Sequence, residues 1–142
     1  MSGISLSSSQ FSGQLAANIL FDLTLVIDAV LCAIEPQKWK FFDLAIALSN
    51  RTSLGLSPER LSKIKKLFDN DFDGAANRVL DGAVVLDDGF KVQGLAACLA
   101  LTYVLRNHAA HDLTSISVIR ERFQHVKNAV LDTLFLAVET LP

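Results

Sequence analysis

The sequence predicts an all-α protein, an antiparallel bundle of four to five helices in a single domain. Three observations point there. Apolar residues recur at i, i+3 and i+4 through long segments. The connections between these segments are short and marked by proline, glycine or clusters of polar residues. One run, residues 92–105, is apolar all round, and such a helix needs cover on every side, at the centre of a fold or at a subunit seam. With 142 residues the chain is long enough to bury a real core. It shows no internal repeat, low-complexity tract or linker, so residues 1–142 are read as one domain.

The elements follow in order. Ser7-Ser8-Ser9 is competent to cap a first helix over 10–34, whose polar positions are Asn18, Asp22 and Asp28. Pro36 stops it. A second helix fits 38–48, with Trp39, Phe42, Ala45 and Ile46 on one stripe. Ser57-Pro58-Glu59 is a helix start, with a cap, a proline at the first position and an acid in the first turn; Leu61, Ile64, Leu67 and Phe68 give the stripe that follows. Lys63, Lys65 and Lys66 fall on its outer face. Asp69, Asp71, Asp73 and Gly74 have the alternation of a calcium loop, but the twelfth position is Leu80 where the loop needs a glutamate, so the segment reads as a solvated turn. Residues 75–80 read as a short helix, 82–86 as either strand or helix, and Asp87-Asp88-Gly89 as a turn. A long helix then fits 90–109, and a last one, capped by Thr114 or Ser115, runs to about 140.

Composition sets limits on function. Hydrophobic residues make up 51% of the chain and mean hydropathy is +0.37, which points to a buried subunit contact or an all-round buried helix. The net charge of −2 gives no global field to attract nucleic acid, so any such contact needs a local patch or two chains together. The run 15–34 is long enough to raise the question of a membrane span, but Asn18, Asp22 and Asp28 interrupt it and it reads as a core helix. Cys32 and Cys98 lie in apolar helical stretches and read as reduced, buried thiols. Met1-Ser2-Gly3-Ile4 lacks the basic start of a secretory signal, and the expected compartment is the cytoplasm, with no membrane partner.

The segment that carries chemistry closes the apolar run: Arg106-Asn107-His108-Ala109-Ala110-His111. Arginine offers a fixed fork of donors to phosphate oxygens. Histidine is the side chain whose proton moves near neutral pH. Asparagine orients either by hydrogen bonds. Together they fit cleavage of RNA without a metal: the ribose 2′-OH attacks phosphorus, His111 moves a proton, Arg106 holds the non-bridging oxygens, and Asn107 orients them. The converging carboxylates of a two-metal phosphodiesterase are not evident, and neither metal nor cofactor is expected. Geometry adds a condition. Arg106 and His111 are five residues apart, roughly 140° around a continuous helix. Either the helix breaks before His111, or two copies of the segment meet across a two-fold axis.

Arg106-Asn107-x-x-Ala110-His111 on the late helix of an all-α chain resembles the signature of the HEPN superfamily, an Arg, a polar residue, a short spacer and a His. The resemblance implies a HEPN-like helical homodimer with a composite site at the interface. It implies a metal-independent endoribonuclease leaving a 2′,3′-cyclic phosphate, often a toxin or an effector of phage defence, with RNA as substrate and a cognate antitoxin or sensor protein as partner. The catalytic residues would be Arg106, Asn107 and His111. Around them His108, Arg120 and Arg122 are candidates for holding substrate, and Asp22 or Asp28 for pairing with Arg106 or a histidine.

Each of these residues has a plainer reading. Arg106 fits a cation at a helix C-terminus, His111 a cap, Asn107 a helix-end residue and His108 a spacer. Arg120 and Arg122 fit a solvated face, and His108, His111 and Asp112 lack a third strong ligand for a metal site. The chain as a whole also fits a non-catalytic HEPN interaction module that pairs with a nucleotidyltransferase or another partner.

Overall fold

A computed structural model describes residues 2–108 and 116–142, with side-chain surroundings from residue 13 onward. The fold is all-α, with one minimal β-hairpin. Its elements are α1 (Ser2–Ile34), α2 (Phe41–Thr52), α3 (Pro58–Asn70), α4 (Phe72–Leu80), β1 (Val84–Val85), β2 (Lys91–Val92), α5 (Gly94–Arg106), α6 (Ser117–Glu121) and α7 (Phe123–Glu139).

The all-round apolar run forms α5, and it is the central helix. Nine of its residues, Ala96, Ala97 and Leu99–Leu105, are buried. It touches α1, α2, α3, α4 and α7, with α7 its main partner. Inside that contact the Thr102 and Thr133 hydroxyl oxygens lie 3.0 Å apart, and each hydroxyl also reaches a carbonyl one turn earlier, Cys98 and Ala129 respectively. Buried hydroxyls are thereby satisfied inside an otherwise apolar interface.

Several boundaries differ from the sequence reading for local physical reasons. The second helix begins at Phe41, because the chain turns at 35–38, where the Lys38 amide donates to the Glu35 carbonyl at 3.1 Å. Trp39 therefore precedes the helix and is 78% exposed, and the buried stripe is Phe41, Leu44, Ala45 and Leu48. The segment 82–86 contributes a strand. Val84 pairs with Val92 and Val85 with Lys91, so Phe90 to Val92 belong to a hairpin and α5 starts only at Gly94. Arg60 clamps that hairpin: its Nε meets Asp88 at 2.9 Å, and its guanidinium lies 4.3 Å from the centre of the Phe90 ring. Gly89, at φ +86°, makes the tight turn, its amide donating to the Leu86 carbonyl. The last helical segment breaks at Arg122 into α6 and α7.

The carboxylates of the acidic turn are engaged in structural contacts, near and far. Asp69 pairs with Lys65, and Asp71 caps α4 by accepting from the Gly74 amide. Asp73 accepts from the Val118 amide at 2.7 Å.

Candidate functional site

The site begins where α5 ends. Leu105 is fully buried; Arg106 is the last helical residue, and its side chain is 29% exposed. Asn107 follows as the C-cap, exposed, with its amide donating to the Tyr103 carbonyl, and the His108 amide donates to the Leu105 carbonyl. The helix thus stops three residues short of the sequence-based boundary. Arg106 and His111 do not share one continuous α5, and the 140° separation of an intact helix no longer applies.

Two groups on α1 meet the Arg106 guanidinium, and a third holds one of them. One terminal nitrogen donates to Asp28 Oδ2 at 3.1 Å. The Phe21 ring lies 6.0 Å from the guanidinium carbon, at the outer limit of a cation–π contact. Asp28 Oδ1 accepts a weak bond from the Cys32 thiol at 3.5 Å. Of the two acids marked in the sequence, Asp28 meets the arginine, while Asp22 stands exposed on another face of α1. Arg106 Nε is buried and has no acceptor among the described residues. Among the described residues one donor of the five-donor fork is engaged by the carboxylate, which draws the guanidinium toward α1.

His111 lies outside the described residues. The chain on both sides of it is held by two adjacent residues of α4. On one side the His108 ring packs edge-on against Phe72, with ring centres 5.1 Å apart. On the other, the Val118 amide donates to Asp73. Sequence reading missed this pair, because Phe72 and Asp73 sit within the acidic turn and no local pattern marks the residues they meet 36 and 45 positions later. Arg106, Asn107 and His108 come together at the end of α5. Arg120 lies apart from them in contact with α1: a Cβ at Gly13 would stand 3.0 Å from its Cδ. Arg122 is engaged elsewhere, its two terminal nitrogens bonded at 3.0 Å to Asn77 and to Asp81 at the end of α4.

The cysteines lie in unlike surroundings. Burial pushes the Cys32 thiol above its ordinary range, and the Asp28 carboxylate adds to the effect. Cys98 is raised by burial and then by the Asp132 charge. It lines a cleft of about 240 Å³ with His125, Asn128 and Asp132, a cleft whose lining does not include Arg106. Neither thiol has the lowered pKa of a nucleophile.

No family model matches the chain, and no curated protein and no solved structure is similar to it beyond chance. The functional reading therefore stands on the residues themselves.

Proposed function

We propose that this protein is a metal-independent endoribonuclease of the HEPN type, working as a homodimer in the cytoplasm as a toxin or defence effector. The observation that carries the reading is the state of Arg106. It ends a buried helix, is held by a carboxylate from a different helix, is 29% exposed, and has among the described residues no acceptor for its buried Nε. A phosphodiester-binding arginine needs that combination of fixed orientation and spare hydrogen bonds.

In the proposed reaction the 2′-oxygen of one ribose attacks the adjacent phosphorus, and the bond to the 5′-oxygen breaks. The products are a 2′,3′-cyclic phosphate and a free 5′-hydroxyl, with no net uptake of water. Arg106 holds the non-bridging oxygens as negative charge builds on them. His111 moves the proton, as base toward the 2′-OH or as acid toward the leaving oxygen. Asn107 orients these groups, and His108 borders the path of the strand, whereas Arg120, packed against Gly13 of α1, lies apart from it. Arg122 would join them only by leaving Asn77 and Asp81.

A composite site predicts complementation. Arg106→Ala and His111→Ala homodimers are each inactive. Mixed under conditions of subunit exchange, half the dimers become mixed, and each mixed dimer rebuilds one of its two sites. Activity returns to about a quarter of wild type, far above either variant alone. A wild-type dimer that cuts no RNA refutes the nuclease reading, and an active wild type without recovery on mixing refutes the composite site.

A further inference from the structure

Beside the end of α1 lies a cleft of about 400 Å³, within the range of roughly 300–1,000 Å³ that small ligands occupy. Phe42, Ile46 and Pro58 give it apolar surface, and Lys38, Asp43 and Asn50 add polar groups. Arg51 and Glu35 also line it and are paired with each other at 2.7 Å. Lys38, Asp43 and Asn50 are exposed, and none has a side-chain partner among the described residues. Trp39, next to Lys38 in the chain, is 78% exposed and is the protein's only tryptophan. The Lys40 ammonium lies over its ring, 5.6 Å from the centre, and the high exposure leaves the opposite face to solvent.

The cleft and Arg106 share one side of the molecule. Phe21, Asp28 and Glu35 recur at seven-residue intervals along α1, and each interval returns to within about 20° of the same face. The Glu35 amide still donates to the Leu31 carbonyl at 2.9 Å, so the helical phase holds to that residue. Phe21 and Asp28 meet the Arg106 guanidinium, and Glu35 lines the cleft. Asp28 to Glu35 is about 10 Å along the helix axis. A second route leads to the same neighbourhood. Phe42 packs edge-on against Tyr103, with ring centres 5.7 Å apart, and Arg106 follows Tyr103 by about one turn of α5. A nucleic-acid strand rises about 3.4 Å per stacked nucleotide, so about three nucleotides cover the gap.

We propose that this cleft takes an unpaired base of the RNA strand, about three nucleotides from the phosphodiester at Arg106, with Lys38 on the strand's phosphate and Trp39 stacked on a neighbouring base. The proposal rests on the ribonuclease reading and adds to it where the strand is gripped and which base is preferred. The chemistry of the lining selects a base. Phe42, Ile46 and Pro58 offer a surface suited to a flat ring, from which a phosphate gains nothing. Asp43 and Asn50 supply groups that read a hydrogen-bonding edge. A carboxylate accepts from the amino group of cytosine and finds only a carbonyl at the same place on uracil. Trp39 presents a π face that every base accepts. The chain's net charge of −2 demands a local patch for any contact with nucleic acid, and Lys38 and Lys40 supply two cations on either side of that ring.

Binding of 2′-O-methyl octa-C and octa-U, which lack the attacking hydroxyl and stay uncut, tests it. Octa-C should quench the fluorescence of Trp39 in a saturable way and bind more tightly than octa-U. By anisotropy of the fluorescein-labelled strand, Trp39→Ala should weaken binding by about five- to a hundredfold, and Trp39→Phe should restore most of it. Helical circular dichroism should stay unchanged in both, since the side chain is 78% exposed. Lys38→Gln should reduce the slope of log affinity against log salt by about 0.7, the loss of one phosphate contact on a single strand. Asp43→Ala should remove the preference for octa-C. A tryptophan that octa-C does not quench, equal affinity of the wild type and Trp39→Ala, or equal binding of octa-C and octa-U by the wild type overturns the proposal. So does a tryptophan that responds to anionic lipid vesicles and not to either strand. The two readings fail separately. Octamer binding through Trp39 without cleavage of unmodified RNA upholds the strand contact and refutes the nuclease, and cleavage of unmodified RNA with affinity unmoved by Trp39→Ala does the reverse.

Discussion

Removing the carboxylate that holds Arg106 gives the sharpest stability prediction. Asp28→Ala breaks a 3.1 Å pair that joins α1 to the end of α5 and leaves the guanidinium without its partner. The magnitude is bracketed by exposure. Fully exposed ion pairs contribute about 0.2–1 kcal/mol, and stripping one member from a buried pair costs about 3–5 kcal/mol. Here the side chains are 29% and 22% exposed, and the carboxylate also accepts the weak Cys32 bond, so about 1–2 kcal/mol is expected. With a urea m-value of about 2 kcal/mol/M, the unfolding midpoint falls by about 0.5–1 M. A double-mutant cycle with Arg106→Ala should recover most of that loss as coupling energy between the two residues. The same substitution relieves the Cys32 thiol of a hydrogen bond and a nearby negative charge that both raise its pKa, so alkylation at pH 8 should quicken. A midpoint shift under about 0.2 M, with coupling near zero, would show that the pair does not orient Arg106, and the account of the site would lose its basis.

Three further outcomes follow from the packing and the charges. Leu99→Ala, at a fully buried position of the central helix, should cost about 2–5 kcal/mol and lower the unfolding midpoint accordingly, with no dependence on salt. His108→Ala, which removes the edge contact with Phe72, should cost about 0.5–1.5 kcal/mol and increase proteolytic nicking between residues 108 and 118. In the hairpin, Lys63 holds the Asp87 carboxyl below its usual range, and Arg60 does the same for Asp88. For a depressed carboxylate the stabilisation is present above the unfolded-state pKa and lost as pH falls through the folded value. Asp87→Asn/Asp88→Asn should therefore flatten the decline in stability below about pH 4, and an unchanged acid limb would contradict these pairings.

The fold was legible in the sequence where a single physical rule decides the outcome. The all-round apolar run 92–105 could only be stable if covered, and α5 is the covered helix. Ser57-Pro58-Glu59 started α3 as the cap rules require, with Ser57 accepting from the Arg60 amide. Boundaries moved where distant partners intervene. Phe90 fits a helix by local pattern, but Arg60, thirty residues earlier in the chain, stacks on its ring and holds it in the hairpin. Arg122 fits the last helix, but Asn77 and Asp81 draw it out of helical geometry. Arg106 and its candidate partner Asp28 were legible by residue type, since a partly buried acid needs a cation; which acid and at what distance were fixed only by the crossing of α1 and α5. The roles of Phe72 and Asp73 were hidden because both act on residues far along the chain.

The central claim is that Arg106 binds the phosphodiester that this protein cleaves. The most direct test is cleavage of end-labelled single-stranded RNA in excess EDTA by the wild type and by Arg106→Ala, with each protein matched for oligomeric state. The account predicts that the wild type produces fragments ending in 2′,3′-cyclic phosphate and that Arg106→Ala is slower by about a hundredfold or more. No cleavage by the wild type, or equal rates for the two proteins, would contradict it.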